Sequence, residues 1–434
     1  ALVGLTTFAF GLAPALQLTR TTLAESMRHG GRGDTGPGST IGRSLLLAGE
    51  VAFSVVLLLG AGLLLRSFLE IQRIELGFQP ERISTFSVSM PATRYSPEQR
   101  IQFVERLRER LSALSGVESV AYMTAPPLGP MFYFSGIAPT DRPPAKPGEG
   151  LAAMTRLLDP NVIPTLGMKV SGRNIDARDR RGAVPVMLIN RRAAEQFWPG
   201  QDPIGKQVDI GIWFGFEETG PRRIVGVVEN IKAQTLTGAP SAEIYLPYAQ
   251  TAADGVTFLI KSQRQSAQIL SAARTELRRL DPALPLVRPG VLGDHVARAM
   301  AAPRFYTTSL TAFAAVAILL ATIGIYGVVA YLVTQRRREI GVRLALGADI
   351  RHVVRLILWQ GLRPALIGIS AGLITAIAGS KVLQTLLYEV GRTDAITFAL
   401  TPVLVLALVA LACIIPARRA SRTSPAIALR AEQA

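Results

Sequence analysis

The sequence predicts an α-helical membrane protein that carries an α/β (α+β) extracytoplasmic domain, and three observations lead there. Hydrophobic residues make up 49% of the 434-residue chain and charged ones only 18%. The apolar surplus is gathered into four runs of roughly 20 residues or more, the length that crosses a bilayer as a helix. Between the first and second runs, residues 66–306 alternate strand-like and helix-like patterns instead.

The spans are Leu45 to Leu65, Thr307 to Val333, Val354 to Gly379 and Ile396 to Pro416. A fifth run, Ala1 to Pro14, is too short to cross and lacks the basic start and cleavage site of a signal peptide. It reads as the tail of a helix that begins upstream, and since the chain opens with Ala we expect a piece of a longer polypeptide.

The formal charge of +16 does not call for nucleic acid, because it collects at the ends of spans. Arg20, Arg28, Arg32 and Arg43 outnumber Glu25 and Asp34 before the first span. Six Arg face Glu339 and Asp349 over residues 335–355, and four face Glu432 over residues 417–434. Residues 380–395 balance Lys381 and Arg392 with Glu389 and Asp394. The positive-inside rule therefore puts the three basic segments in the cytoplasm and the balanced loop outside. Residues 66–306 then fall outside as well, bracketed by an outgoing and a returning helix.

In that outer region, β-rich or alternating runs at Ile83–Met90, Val117–Met123, Val184–Ile189, Arg223–Val228, Ala242–Tyr248 and Val256–Lys261 predict strands. Pro97–Leu114 and Gln265–Leu280 have apolar residues at three- and four-residue spacing and predict amphipathic helices. Two strand-helix-strand units sharing a sheet explain this order. The turn-rich Asp141–Gly150 marks a boundary, and a second subdomain follows at about 140–250.

Pro14–Arg28 and Pro416–Arg430 match without a gap at Pro, Ala, Arg, Thr, Ala and Arg, each after an apolar run. The repeat divides the chain: 1–40 end a preceding unit of the same kind, 41–70 give the first span, 71–303 the outer domain and 304–434 three further spans with a cytoplasmic tail.

The most informative segment is Gln335–Asp349, QRRREIGVRLALGAD. Glu339 precedes Arg343 by four residues, the favourable order for a helical ion pair. Gly347 can close a helix and Asp349 can cap the next. The pattern predicts a short helix between two spans, in a position where a soluble motor could grip it; the alternative is a solvated basic loop that only enforces topology.

QRRREIGVRLALGA resembles the cytoplasmic coupling segment of FtsX-like permeases, and PARRASRTSPAIALR resembles their C-terminal tail. NRRAAEQFWPGQDPIGKQV (Asn190–Val208) and IVGVVENIKAQTLTGAPSAEIYLPYAQ (Ile224–Gln250) are similar to the MacB-like periplasmic domain. With the repeat, the whole resembles the acidobacterial duplicated orphan permease branch. The resemblance implies a four-span permease unit with a two-subdomain outer domain in the cell inner membrane. It implies an ATPase-coupling role for Arg336, Arg337, Glu339, Ile340, Gly341, Arg343, Leu346 and Gly347. ATP and Mg would sit on a separate MacB-type ATPase dimer, with no cofactor or metal in this chain. The partners it implies are that dimer, a second permease unit in cis or in trans and membrane lipid, with a periplasmic adaptor as a further candidate. The substrate of the branch is unassigned.

No constellation points to catalysis by the chain itself. His29, His295 and His352 are far apart with no HExxH, nucleophile elbow or cysteine cluster, and Cys413 is the only cysteine. Lys206 follows a glycine, but Gln207 stands where a phosphate loop needs Ser or Thr. The FWPG and DPIGK stretches read as turn chemistry. Glu50, inside the first span, reads either as reaching the headgroups or as a helix contact. Gly368 and Gly372 read as a close-packing pair. The alternative function is a membrane-anchored signalling or scaffold protein that relays an outside binding event.

Overall fold

The computed structural model describes residues 37–143, 151–211, 220–335, 350–391 and 393–421. The predicted coupling segment, the N-terminal repeat and most of the C-terminal tail lie outside these. Two compact units emerge, one of Ala1–Gly60, Thr311–Val382 and Thr393–Ala434, the other of Ala61–Leu310 and Leu383–Arg392.

The first unit is helical. It takes the N-terminal part of α1 (Pro37–Gln72), most of α7 (Ala301–Gln335), α8 (Ile350–Leu383) and α9 (Ala395–Ser421). Each of these helices holds a stretch long and apolar enough to span a membrane: Ser44–Gln72, Ala301–Ala330, Gly361–Leu383 and Ala395–Ile414. Each of these four stretches overlaps one of the four predicted spans. The chain is a multi-pass membrane protein.

The second unit is α/β. Its first layer is the antiparallel run β11 (Val287–Val291), β1 (Ile83–Ser89), β10 (Gly255–Ser262) and β2 (Val117–Met123). It is built from two strand-helix-strand units, as the sequence order predicts. Helix α2 (Pro97–Ser112) joins β1 to β2, and α5 (Ser266–Leu280) joins β10 to β11.

Local chemistry fixes α2. Ser96 Oγ accepts from the Gln99 amide while Gln99 Oε1 accepts from the Ser96 amide, a capping box with Pro97 in the first turn. Val104, Leu107 and Leu111 face the sheet, as do Ile269, Ala273 and Leu277 of α5. Beneath them Phe86 and Phe258, opposite each other in register, stack at 5.2 Å between ring centroids, and Tyr122 follows on the next strand.

The second layer closes on itself. Strand β4 (Leu151–Leu158) pairs with β3 (Phe134–Pro139), β3 with β7 (Gln207–Gly211) and β7 with β8 (Gly220–Val228), all antiparallel. Strand β8 runs parallel to β6 (Val186–Asn190), β6 antiparallel to β9 (Glu243–Pro247), and β9 parallel back to β4. The six strands form a ring, which leaves them no free edge along its circumference. Short β5 (Val170–Gly172) adds to β8, and the ring meets the first layer through one pair, Met123 with Leu158. Helices α3 (Val162–Thr165) and α4 (Arg191–Phe197) complete this part, and α6 (Leu292–Ala299) leads into α7.

Strands β6 and β9 are buried along their whole length, and β4 over all but its first two residues. One face, with Leu157, Met187, Ile189 and Ile244, shares the main core with α2 and α5. The other, with Met154, Leu158, Leu188 and Tyr245, packs beneath connecting segments through Ile163, Leu166 and Ile231.

Candidate functional site

The sequence places the working part of the molecule around the segment between α7 and α8. The described part of α7 runs to Gln335 and that of α8 starts at Ile350, so the two helices bracket it in sequence. Arg336, Arg337, Glu339, Ile340, Gly341, Arg343, Leu346 and Gly347 themselves lie outside the described residues.

The helices that flank that segment are organised around α1. A Cβ built on Gly368 of α8 would stand 2.5 Å from the Ala48 carbonyl oxygen, and one on Gly372 would stand 2.8 Å from that of Ala52. Both would also press on side chains of α1, Val51 and Val55. The pair is a close-packing device, as read from the sequence. Its partner is α1, the most enclosed of the four spans at 44% buried against 22–33% for the others.

On another side α1 meets α7 through polar groups. The carboxylate of Glu50 lies against Gly324, where a Cβ would be 2.7 Å from Oε2. One turn on, Ser54 Oγ donates to the Ala317 carbonyl at 3.1 Å and to the Glu50 carbonyl at 2.9 Å. Of the two readings open for Glu50, the helix contact is the one the geometry realises. Gly361 of α8 makes room for Cys413 of α9, which is fully buried there.

In the α/β unit the FWPG and DPIGK stretches form a clamp. Trp198, 2% exposed, donates from Nε1 to Asp141 Oδ2 at 2.9 Å. Lys206 Nζ reaches the same oxygen at 3.0 Å and sits 5.5 Å from the Trp198 ring centroid. Bonds from Lys206 and Trp198 hold the Asp141 carboxyl below its ordinary range. Gly200 and Gly205 take the left-handed backbone that their turns require, with φ of 73° and 88°.

Three buried ionic arrangements escaped the sequence reading. Arg156 and Glu243, 0% and 1% exposed, pair at 3.1 Å across β4 and β9, and the Tyr245 hydroxyl donates to the same Glu243 Oε2 at 2.9 Å. Arg100, the first residue of the α2 stripe, is 1% exposed and pairs with Asp254 at 2.9 Å. Asp159 accepts from Arg108 at 2.8 Å and from the Asn161 amide at 2.8 Å. Only the position of Arg100, four residues before Val104 on the apolar stripe, carried a local signal.

Burial pushes the Asp159 carboxyl up to about 6 despite the opposing charge of Arg108 and the Asn161 bond. The folded protein thus holds this proton more tightly than the unfolded chain, whose carboxylate titrates near 4. The stability it contributes is complete below that value and lost as the pH rises through about 6, a change of at most roughly 3 kcal/mol. We expect Asp159→Asn to flatten the decline in unfolding stability between pH 4 and 7; an unaltered slope in denaturant titrations would place the dependence elsewhere.

Among the described residues no group of three or more His, Cys, Asp or Glu could hold a metal ion. Fold and site together define a class: a polytopic membrane protein whose spans pack around α1 and whose α/β unit contains a closed ring of strands.

Comparison with known proteins gives the family. Residues 49–276 match the MacB-like periplasmic core domain and residues 311–425 the FtsX-like permease C-terminal domain. The first match alone covers more than half of the chain, and the chain belongs to the MacB-like, FtsX-type permease family. It is similar to the "Pyoverdine export ATP-binding/permease protein PvdT" of Pseudomonas syringae pv. tomato, with 26% identity over 274 residues, 60% of this chain and 40% of that protein. It is also similar to the "Macrolide export ATP-binding/permease protein MacB" of Hahella chejuensis, with 27% identity over 279 residues and the same coverage. The chain spans about 40% of the length of these relatives. A solved structure, the periplasmic region of MacB from Actinobacillus actinomycetemcomitans, aligns over 52% of this chain and 94% of its own, with 16% identity and a TM-score of 0.35.

Proposed function

We propose that this chain is the permease part of an ABC-type export or force-transmitting machine in the inner membrane, driven by a separate ATPase dimer. The observation that carries the reading is the membership of both parts in one permease family, with a short basic segment set between α7 and α8. In this reading the ATPase closes on ATP and displaces residues 335–349. Helices α7 and α8 carry the displacement across the bilayer, and the α/β unit, on the outer side, changes state in response. Two permease units act together, in cis or in trans, and the exported substrate is unassigned.

In this reading a partner ATPase hydrolyses the ATP and this chain supplies the permease part; the relatives PvdT and MacB are named as ATP-binding/permease proteins. By the sequence pattern a Glu339–Arg343 pair would steady this segment, with Arg336, Arg337, Ile340, Gly341, Leu346 and Gly347 completing the surface that the ATPase grips.

Replacing Glu339 and Arg343 together by Ala should leave the permease folded and lower its stimulation of a co-expressed MacB-type ATPase at least several-fold. Unchanged stimulation and unchanged co-purification would remove the coupling role. Retention of a signalling protein instead of any ATPase would favour a relay of an outside binding event.

A further inference from the structure

The loop between α8 and α9 does not group with the helices it joins. Leu383–Arg392 belongs to the same compact unit as the α/β domain, together with the C-terminal turns of α1 from Ala61 onward. A short 3₁₀ turn, Gln384–Leu386, brings the loop round. The Tyr388 amide then donates to Ser67 Oγ of α1 at 2.9 Å, and Ser67 is only 1% exposed. Across the Tyr388 ring, at 5.9 Å from its centroid, stands Lys232 Nζ.

Lys232 is itself fixed in the connection between β8 and β9. Its amide donates to the Leu76 carbonyl at 2.9 Å and its Nζ to the Gly238 carbonyl at 3.1 Å. The same connection closes on Gly77, just after α1. Gly77 has a φ of 75°, and a Cβ there would be 2.5 Å from the Asn230 carbonyl oxygen. Backbone, hydroxyl and ring contacts thus converge on one residue of an otherwise short loop. A turn needed only to reverse the chain has no use for a buried serine in one element and a placed cation in another.

We infer that this loop is a mechanical tie, with Tyr388 as its positioning residue. It fastens the ends of α8 and α9 to α1 and to the 230–241 segment. Displacement of α8 and α9 thereby reaches the α/β unit by a route separate from the chain connections of α1 and α7. The purpose of the tie rests on the proposed function, whereas its existence rests on the contacts alone.

The test uses the full chain in lipid nanodiscs, followed by amide hydrogen exchange. Tyr388→Ala should raise exchange in residues 230–241 roughly threefold, the size set by losing one exposed cation–π contact, with the strands unaffected. Tyr388→Phe keeps ring and amide and should behave as the unaltered protein. Ser67→Ala, an independent variant, should speed exchange of the Tyr388 amide.

A local brace and a transmitting tie are told apart by bilayer thickness, which tilts spanning helices. Exchange in 230–241 should differ between dimyristoleoyl- and dieicosenoyl-phosphatidylcholine discs in the unaltered protein. That difference should fall by about half or more in Tyr388→Ala, since one of the routes is cut. Unchanged exchange in both Tyr388→Ala and Ser67→Ala overturns the tie. A thickness response absent from the unaltered protein, or fully kept in Tyr388→Ala, overturns transmission. Neither outcome depends on an ATPase, so failure of the proposed function would be seen separately, in the Glu339 and Arg343 experiment.

Discussion

Glu243→Ala is expected to destabilise the α/β unit by about 3–5 kcal/mol, because it leaves a buried guanidinium without its counter-charge. Arg156 is 0% exposed and its Nε donates to Glu243 Oε2; its Nη1 and Glu243 Oε1 have no hydrogen-bonding partner among the described residues. The pair sits at the seam where parallel β9 closes the ring on β4. The loss should therefore appear as early unfolding of the ring and as protease cleavage around 150–250. Burial pushes the Tyr245 phenol well above its ordinary value, so it stays protonated and also loses its acceptor. The combined change Arg156→Met, Glu243→Leu and Tyr245→Phe removes all three polar groups and should recover most of the loss. A single Glu243→Ala variant that unfolds at the same denaturant concentration as the parent would show that the seam does not depend on this pair.

The second large effect is expected in the membrane unit. Gly368→Ala introduces one methyl group against the Ala48 carbonyl, with 2.5 Å available and backbone rather than a flexible side chain in the way. Helices α1 and α8 must separate, and overpacking of this kind costs about 1–3 kcal/mol. Gly372→Ala, at 2.8 Å from the Ala52 carbonyl, should behave alike, and the double variant should lose the α1–α8 contact. Gly379→Ala on the same helix is the control, since nothing lies within 4 Å of its added Cβ. Thermal unfolding in detergent separates the two sites; equal midpoints for Gly368→Ala and Gly379→Ala would mean that α1 and α8 do not pack at this pair.

Much of this was legible in the sequence, and unevenly. The four spans follow from length and hydropathy, and the first strand-helix-strand unit and the opening strand and helix of the second from period 2 and period 3.6 patterns. Strands β3, β4, β5, β7 and β11 were missed. Strand β4, LAAMTRLL, is buried along nearly all its length and does not alternate, while β3 and β7 are short and flanked by turn residues. The buried ion pairs of Arg156 and Arg100 were not readable because their partners, Glu243 and Asp254, are far away in sequence.

The sequence by itself determined which segments are apolar enough for a bilayer, which alternate as strands, and which motifs carry the family resemblance, because each is a property of neighbouring residues. Only the tertiary structure decided that β9 returns to β4, that Gly368 and Gly372 face α1, that Glu50 lies on Gly324, and that Tyr388 reaches Ser67 and Lys232. Those facts are distances between residues up to hundreds of positions apart. They are set by how helices and strands fill space against one another, on which local periodicity places no constraint.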